Sequence, residues 1–145
     1  MFKHVLIATD GSPLSDSASR SAVKLAKSLS AQVTAITVST PFHAFTSNYV
    51  MLTDTEDGYN DDCERRARSS LDVVGKAAES AGVAFHGMHV FHEHPYAAII
   101  EAADEKGCDV ICMASHGRKG TIALVVGSET MKVLTHSKIP VVVWR

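Results

Sequence analysis

The feature that most constrains this chain is a repeated alternation. Short, nearly all-apolar runs are followed by longer segments with apolar residues at helical spacing. Val5-Leu6-Ile7-Ala8-Thr9 is the first such run and lacks the polar alternation of a half-exposed strand. A strand of that kind has to be covered on both faces, which is the condition of a parallel sheet flanked by helices. The run stops at the turn signature Asp10-Gly11-Ser12, and Ser12-Pro13 starts a helix with a hydroxyl at the N-cap and proline at the first helical position. Leu14, Ala18, Ala22, Leu25 and Leu29 recur at three- and four-residue steps and are expected to form its buried face.

The rest of the chain keeps this rhythm. Val33–Val38 predicts a second strand. Residues 57–81 predict a helix with Cys63, Ala67, Leu71, Val74, Ala78 and Ala81 on its buried face, closed by Gly82. Val83–Phe91 predicts a third strand, Pro95–Gly107 a third helix and Asp109–Ala114 a fourth strand. Ser128–His136 predicts a short helix, and Ile139–Trp144 a final strand. The expected fold is α/β: a doubly wound, five-stranded parallel sheet with helices on both faces. The connection 39–56, with Phe42, Phe45 and Tyr49, is the one outsized loop and is expected to be mobile.

At 145 residues the chain suits one domain, 1–145, long enough to bury roughly 70% of the surface exposed when unfolded. Lys and Arg number 14 against 16 Asp and Glu, which argues against a broad basic surface for nucleic acid or membrane. No apolar run approaches the ~20 residues of a membrane span, and Met1-Phe2-Lys3-His4 lacks a signal-peptide layout. Cys63, Cys108 and Cys112, an odd number, do not form a disulfide framework and fit a reducing compartment. The expected location is the cytoplasm.

Ligands of open α/β sheets bind beyond the carboxyl ends of the strands, where the strand order reverses. Two strand ends carry suitable chemistry. One is Thr9-Asp10-Gly11-Ser12; the other is Met113-Ala114-Ser115-His116-Gly117-Arg118-Lys119-Gly120, continuing to Gly127-Ser128-Glu129-Thr130 at a helix start. Gly117 and Gly120 allow tight turns, Arg118 and Lys119 add positive charge, and Gly127-Ser128 offers free N–H groups at a helix N-terminus. These features suit a phosphate-bearing ligand. Neither G-x-x-x-x-G-K-[ST] nor a G-x-G-x-x-G after the first strand is present.

Over its whole length the chain resembles the universal stress protein family. The residues that carry the resemblance are Val5-Leu6-Ile7-Ala8-Thr9-Asp10-Gly11-Ser12, Ala114-Ser115-His116-Gly117, Gly127-Ser128, and Ser137-Lys138-Ile139-Pro140-Val141-Val142-Val143. The family's nucleotide motif is Gly, two residues, Gly, nine residues, Gly, then Ser or Thr. Here Gly117, Gly127 and Ser128 match and Ala114 replaces the first Gly. The resemblance implies an adenine nucleotide alpha hydrolase-like fold with strand order 3-2-1-4-5. It implies a site for ATP or another adenine nucleotide, with Mg²⁺ as a companion of the phosphates. Ala8 and Thr9 would floor the pocket, Asp10 would hold the ribose or adenine edge, and Val38 would pack on adenine. Met113, Ala114, His116 and Gly117, with Arg118 and Gly120, would wrap the ribose and α-phosphate. Gly127, Ser128, Glu129 and Thr130 would present N–H groups to the outer phosphates. At Ala114 a methyl costs on the order of 1 kcal/mol if φ is positive and nothing otherwise. Glu129 would repel phosphate if its carboxylate pointed inward.

Other constellations are weaker. His86, His89, His92 and His94 suggest a metal, yet strand alternation splits them between two faces. Ser115 and His116 suggest nucleophile and base, but adjacent residues are not expected to aim at each other and no third group orients them. The expected activity is nucleotide binding with output through conformation or a partner. A nucleotide-free dimeric module and a weak ATP hydrolase are the alternatives, and any hydrolysis should be slow because Asp10 is the clearest pocket acid. The apolar final strand, Pro140, Val141, Val142, Val143 and Trp144, is expected at a sheet edge, where pairing with a two-fold mate would make a homodimer.

Overall fold

The computed structural model describes residues 1–43, 55–116 and 126–145. Among them five strands and four helices alternate: β1 His4–Ala8, α1 Pro13–Ser28, β2 Gln32–Ser39, α2 Glu56–Ala81, β3 Phe85–Phe91, α3 Pro95–Glu105, β4 Val110–Ala114, α4 Ser128–His136 and β5 Val141–Trp144. The strands form one sheet in the order β3-β2-β1-β4-β5, and every pairing is parallel. Strand order therefore reverses between β1 and β4, as the doubly wound expectation requires.

Strand alternation divides the core in two. Val5, Ile7, Val33, Ala35, Val110 and Cys112 face α1 and α2, where they meet Ala22, Val23, Ala26, Val74 and Ala78. Leu6, Ile36, Ile111 and Met113 face the other way, against Ile99, Ala102, Ala103 and Val133 of α3 and α4. Val5, Leu6 and Ile7 are at most 1% exposed, so β1 is covered on both faces.

The buried face of α1 differs from the expected one. Ser15, Ala18, Ser19, Ala22, Val23 and Ala26 are buried, whereas Leu14, Leu25 and Leu29 are half-buried flanks. The leucines mark one side of the stripe rather than its centre. Small side chains at the centre let the helix axis lie close to the sheet. On α2 the buried set is Ala67, Ser70, Val74 and Ala78, with Cys63, Leu71 and Ala81 half-buried. All three thiols are free. Burial pushes Cys108 up to about 11 and Cys112 to about 12, which leaves both poor nucleophiles.

Of the long connection 39–56, residues 44–54, with Phe45 and Tyr49, lie outside the described residues. Its beginning is tied to α2. Tyr59 donates to Thr40 O at 2.6 Å, and its ring lies 5.6 Å from that of Phe42.

Helix ends follow their local chemistry. Ser12 Oγ accepts from Ser15 N at 3.2 Å, Thr55 Oγ1 accepts from Gly58 N at 3.1 Å, and Gly82 ends α2 at φ +70°. A Cβ at Gly82 would meet nothing within 4 Å, so its substitution isolates backbone strain. Gly82→Ala is expected to destabilise the fold by about 1 kcal/mol, read from urea unfolding, with Gly82→Asn milder because asparagine tolerates the left-handed region.

His89 makes stability pH-dependent. It faces α2 from the edge strand β3, with its Nε2 2.8 Å from Ser39 Oγ and its ring 4.8 Å from that of Phe91. Burial holds its pKa below the ordinary value of 6.5, and the Glu64 charge only partly opposes this. The unfolded chain therefore takes up this proton first as pH falls, so His89's contribution is present above about 6.5 and lost below it. His89→Gln is expected to lose less stability than wild type between pH 7.5 and roughly 5.5 in parallel urea titrations. Parallel losses would assign the acid sensitivity to other groups.

Candidate functional site

Nine buried polar side chains are found among the described residues, and six of them, Thr9, Ser12, Ser15, Thr37, Ser115 and Thr130, gather at the carboxyl ends of β1, β2 and β4. This concentration follows from topology. At the strand ends the ladders stop, and the freed backbone groups need partners.

The first half of the site is the turn after β1. Thr9 N donates to Ile36 O at 3.0 Å, and Thr37 Oγ1 donates to Thr9 O at 2.9 Å. Ser15 Oγ donates to Thr9 Oγ1 at 2.9 Å and accepts from Asp10 N at 3.3 Å. Asp10 Oδ1 accepts from Ser12 N at 2.9 Å, while Gly11 turns the chain at φ +75°. Asp10 is thus held half-buried on a braced turn at the strand end. Ala8 ends β1 beneath it, and Val38 near the end of β2 is half-buried against the second core cluster.

The second half joins β4 to α4. Ser115 N donates to Trp144 O at 2.7 Å, Ser115 O accepts from Gly127 N at 2.6 Å, and Thr130 Oγ1 donates to Ala114 O at 3.0 Å. These bonds hold the N-terminus of α4 against the end of β4. Gly127 is the N-cap, at φ −59° and ψ 151°, and makes no side-chain capping bond. The first-turn N–H groups of α4 are therefore the free donors a helix start offers an anion. Met113 and Ala114 are buried at the strand end. Gly117, Arg118, Lys119 and Gly120 lie outside the described residues.

Ala114 is extended and takes no positive φ; among the described non-glycine residues Ser30 alone does. Its methyl therefore adds no backbone strain. Glu129 turns its carboxylate towards α3, where Oε2 accepts from Tyr96 N at 2.9 Å and Oε1 accepts from Lys132 Nζ at 3.0 Å. Its side chain caps a neighbouring helix whose own N-cap, His94, supplies no side-chain bond. Only the Glu129 backbone N–H remains for the α4 anion site.

One expectation is corrected. Ser115 and His116 do meet, with Oγ 2.9 Å from Nδ1, because the chain leaves the extended conformation after Ala114 and strand alternation no longer separates neighbours. No carboxylate orients the other ring nitrogen, and Ser115 is 2% exposed, so the pair is not a hydrolytic triad. Ser15 and Thr37 carry no motif that singles them out in the sequence. The signal for Ser15 was its place three residues after an N-cap serine.

The histidine group does not converge. His86 and His89 point to opposite faces of β3, the strand ends at Phe91, and His92 Nδ1 accepts from His94 N at 2.8 Å. Among the described residues no group of three His, Cys, Asp or Glu side chains could hold a metal. No helix among them is long and apolar enough to cross a membrane.

Known proteins place the chain. It is 30% identical to universal stress protein YxiE of Bacillus subtilis over the full length of both. It is 29% identical to universal stress protein MJ0531 of Methanocaldococcus jannaschii, over 99% of this chain and 82% of that one. Among solved structures, hypothetical protein MJ0577 superposes with a TM-score of 0.79 at 24% identity, covering 99% of this chain and 95% of that one. A universal stress protein solved with cAMP gives 0.67 at 21% identity, covering 99% and 97%. One from Archaeoglobus fulgidus solved with dAMP gives 0.69 at 16% identity, covering 100% and 98%. The model of the universal stress protein family matches residues 1–145, and the chain belongs to that family.

Proposed function

We propose that this protein binds an adenine nucleotide in the crevice between the carboxyl ends of β1 and β4, and that the bound state acts through conformation or a partner. The observation that carries the proposal is the start of α4. Gly127 leaves its donors uncapped, and hydrogen bonds through Ser115 and Thr130 clamp it to the end of β4. Relatives of the same fold have been solved with cAMP and with dAMP, which supports the ligand class.

In this proposal the N–H groups of Ser128, Glu129 and Thr130 bind phosphate, with Gly127 leaving room for it. Asp10 holds the ribose or adenine edge, and Ala8, Thr9, Val38 and Met113 form the apolar wall. Gly117, Arg118 and Gly120 complete the phosphate side. ATP with Mg²⁺ is the proposed physiological form. The outer phosphates themselves supply oxygen ligands for such an ion, and Asp10 is the acid that follows the end of β1. Glu129 is engaged with Tyr96 and Lys132. Efficient phosphoryl transfer asks for acids that hold the metal and a group that positions water. The side chains gathered here suit binding, so turnover is proposed to be slow. The three free thiols fit a reducing cytoplasm.

Titration of the nucleotide-free protein with AMP, ADP and Mg-ATP is expected to give saturable heats, and steady-state ATP turnover well below about 1 s⁻¹. Gly127→Val is expected to abolish binding without unfolding the protein. The position has a φ of −59° that valine adopts freely, so the substitution adds no backbone strain. Absence of heat and of thermal shift at millimolar nucleotide would favour a nucleotide-free interaction module.

We also propose a homodimer through β5, the edge strand next to β4. The carbonyls of Pro140 and Trp144 accept from Ile111 N and Ser115 N, so Val142, in phase with them, also directs its backbone at β4. Val141 and Val143 direct theirs outward, to the free edge. An antiparallel mate would satisfy those groups and close the assembly. Val143→Pro removes an outward donor and leaves the pairing with β4 intact, whereas Val142→Pro would break the sheet inside one chain. Light scattering is expected to give twice the 15.5 kDa chain mass for wild type and a folded monomer for Val143→Pro. A folded Val143→Pro dimer would place the interface elsewhere.

A further inference from the structure

At the amino ends of β1, β2 and β3, the opposite end of the sheet from the nucleotide crevice, lies an open basin of about 340 Å³. Its lining includes His4, Gln32, Thr34, Ala84, His86 and Lys106. That volume is at the lower end of the range for small-molecule sites. The basin follows from the fold. His4, Thr34 and His86 are in phase with Leu6, Ile36 and Met88, which belong to the core shared with α3. The helix ends at Glu105, and Lys106 is its C-cap, so at this end of the strands polar side chains take the place of the core.

Three elements bring donors to the basin. The His4 ring reaches over β2, with Nε2 2.8 Å from Oγ1 of Thr34, which is only 2% exposed. Thr34 is the register partner of His86 on β3, so the two imidazoles stand on either side of one buried hydroxyl. Lys106 adds an ammonium group, with three donors and no acceptor. Among the described residues neither His86 nor Lys106 has a side-chain hydrogen bond or ion pair. No described Asp or Glu lines the basin. Asp109, which lies beside His4, already accepts from Lys3 N at 2.7 Å and from His4 N at 3.1 Å. A basin with a cation, several donors and no acid attracts an anion. It does not suit a metal, because Nε2 of His4 is engaged and no third described ligand joins the imidazoles.

We propose that this basin binds a phosphate group, free or carried by a small metabolite, held by His4, His86 and Lys106. Donors from three separate elements fit the several oxygens of a phosphate better than the two of a carboxylate. Lys106 meets the charge as a compact ammonium, and the imidazoles donate N–H groups. The site is separate from the crevice, so neither proposal depends on the other.

The test is a titration with inorganic phosphate, with glycerol 3-phosphate and with glycerol, at constant ionic strength, followed by NMR of the backbone amides and histidine rings. Both phosphates are expected to give saturable shifts at the rings of His4 and His86 and at the amide of Lys106, with glycerol inert. Lys106→Met and His86→Gln are each expected to weaken phosphate by about three- to tenfold. Both positions are exposed, so the rest of the amide spectrum should stay that of the wild type and report a folded chain. Tighter binding of glycerol 3-phosphate would assign the site to a phosphorylated metabolite, and equal affinity would assign it to free phosphate; either upholds the inference. Shifts that fail to saturate, shifts confined to the start of α4, or wild-type affinity in folded Lys106→Met would each overturn it. Those results would leave the nucleotide proposal standing, just as a failure to bind nucleotide would leave this one standing.

Discussion

Double-sided burial of β1 is the constraint on which the rest of the structure depends. Val5, Leu6 and Ile7 lose essentially all contact with water, and alternation sends them into two separate cores. A strand buried on both faces requires helices above and below the sheet, and parallel crossovers supply them. Its neighbours β2 and β4 occupy its two edges, so the chain must reverse its direction of progress across the sheet at this point. That reversal opens a crevice at the carboxyl ends, where α1 and α4 begin. The location of the candidate site is thus a consequence of how the central strand is covered.

The crevice is also where the ladders run out. Thr9, Ser15 and Thr37 bind one another and the backbone after β1, while Ser115 and Thr130 do the same after β4. These hydroxyls are buried, and each is worth keeping only if its bonds are made. They make the turns rigid, and a rigid frame leaves its remaining donors, those at the start of α4, in fixed positions. Preorganisation of that kind lowers the entropy lost when a ligand binds.

The strands and helix starts were legible in the sequence because each rests on local chemistry. Apolar runs bounded by Gly, Asp or Pro gave all five strands, and Ser12-Pro13 gave the first helix start to the residue. What was less legible depends on contacts between distant segments. The centre of the α1 stripe lies on serine and alanine, because closeness to the sheet rather than side-chain size decides burial there. Glu129 read as a threat to phosphate, and only the packing of α3 beside α4 reveals Tyr96 N as its partner, 33 residues away. Ser115 and His116 are adjacent and for that reason were not expected to meet, yet they do where the chain turns one residue past β4. The candidate site's motif residues were visible in sequence, whereas Ser15 and Thr37, and the bracing bonds made by Thr9 and Thr130, were not.

The replacement of a motif glycine by Ala114 shows how such departures are judged. A glycine signature can mark a positive φ, a close approach of backbone to ligand, or only ancestry. The first is removed here: Ala114 is the last residue of an extended strand, and its carbonyl is held by Thr130 Oγ1 at 3.0 Å. Its methyl is buried with the rest of β4, since Ala114 is only 6% exposed. Both the carbonyl and the side chain are therefore committed to protein neighbours. The backbone donors of the proposed site lie further along, at the N-terminus of α4. A motif can lose its first glycine without losing its donors when the strand end is already fixed by its neighbours.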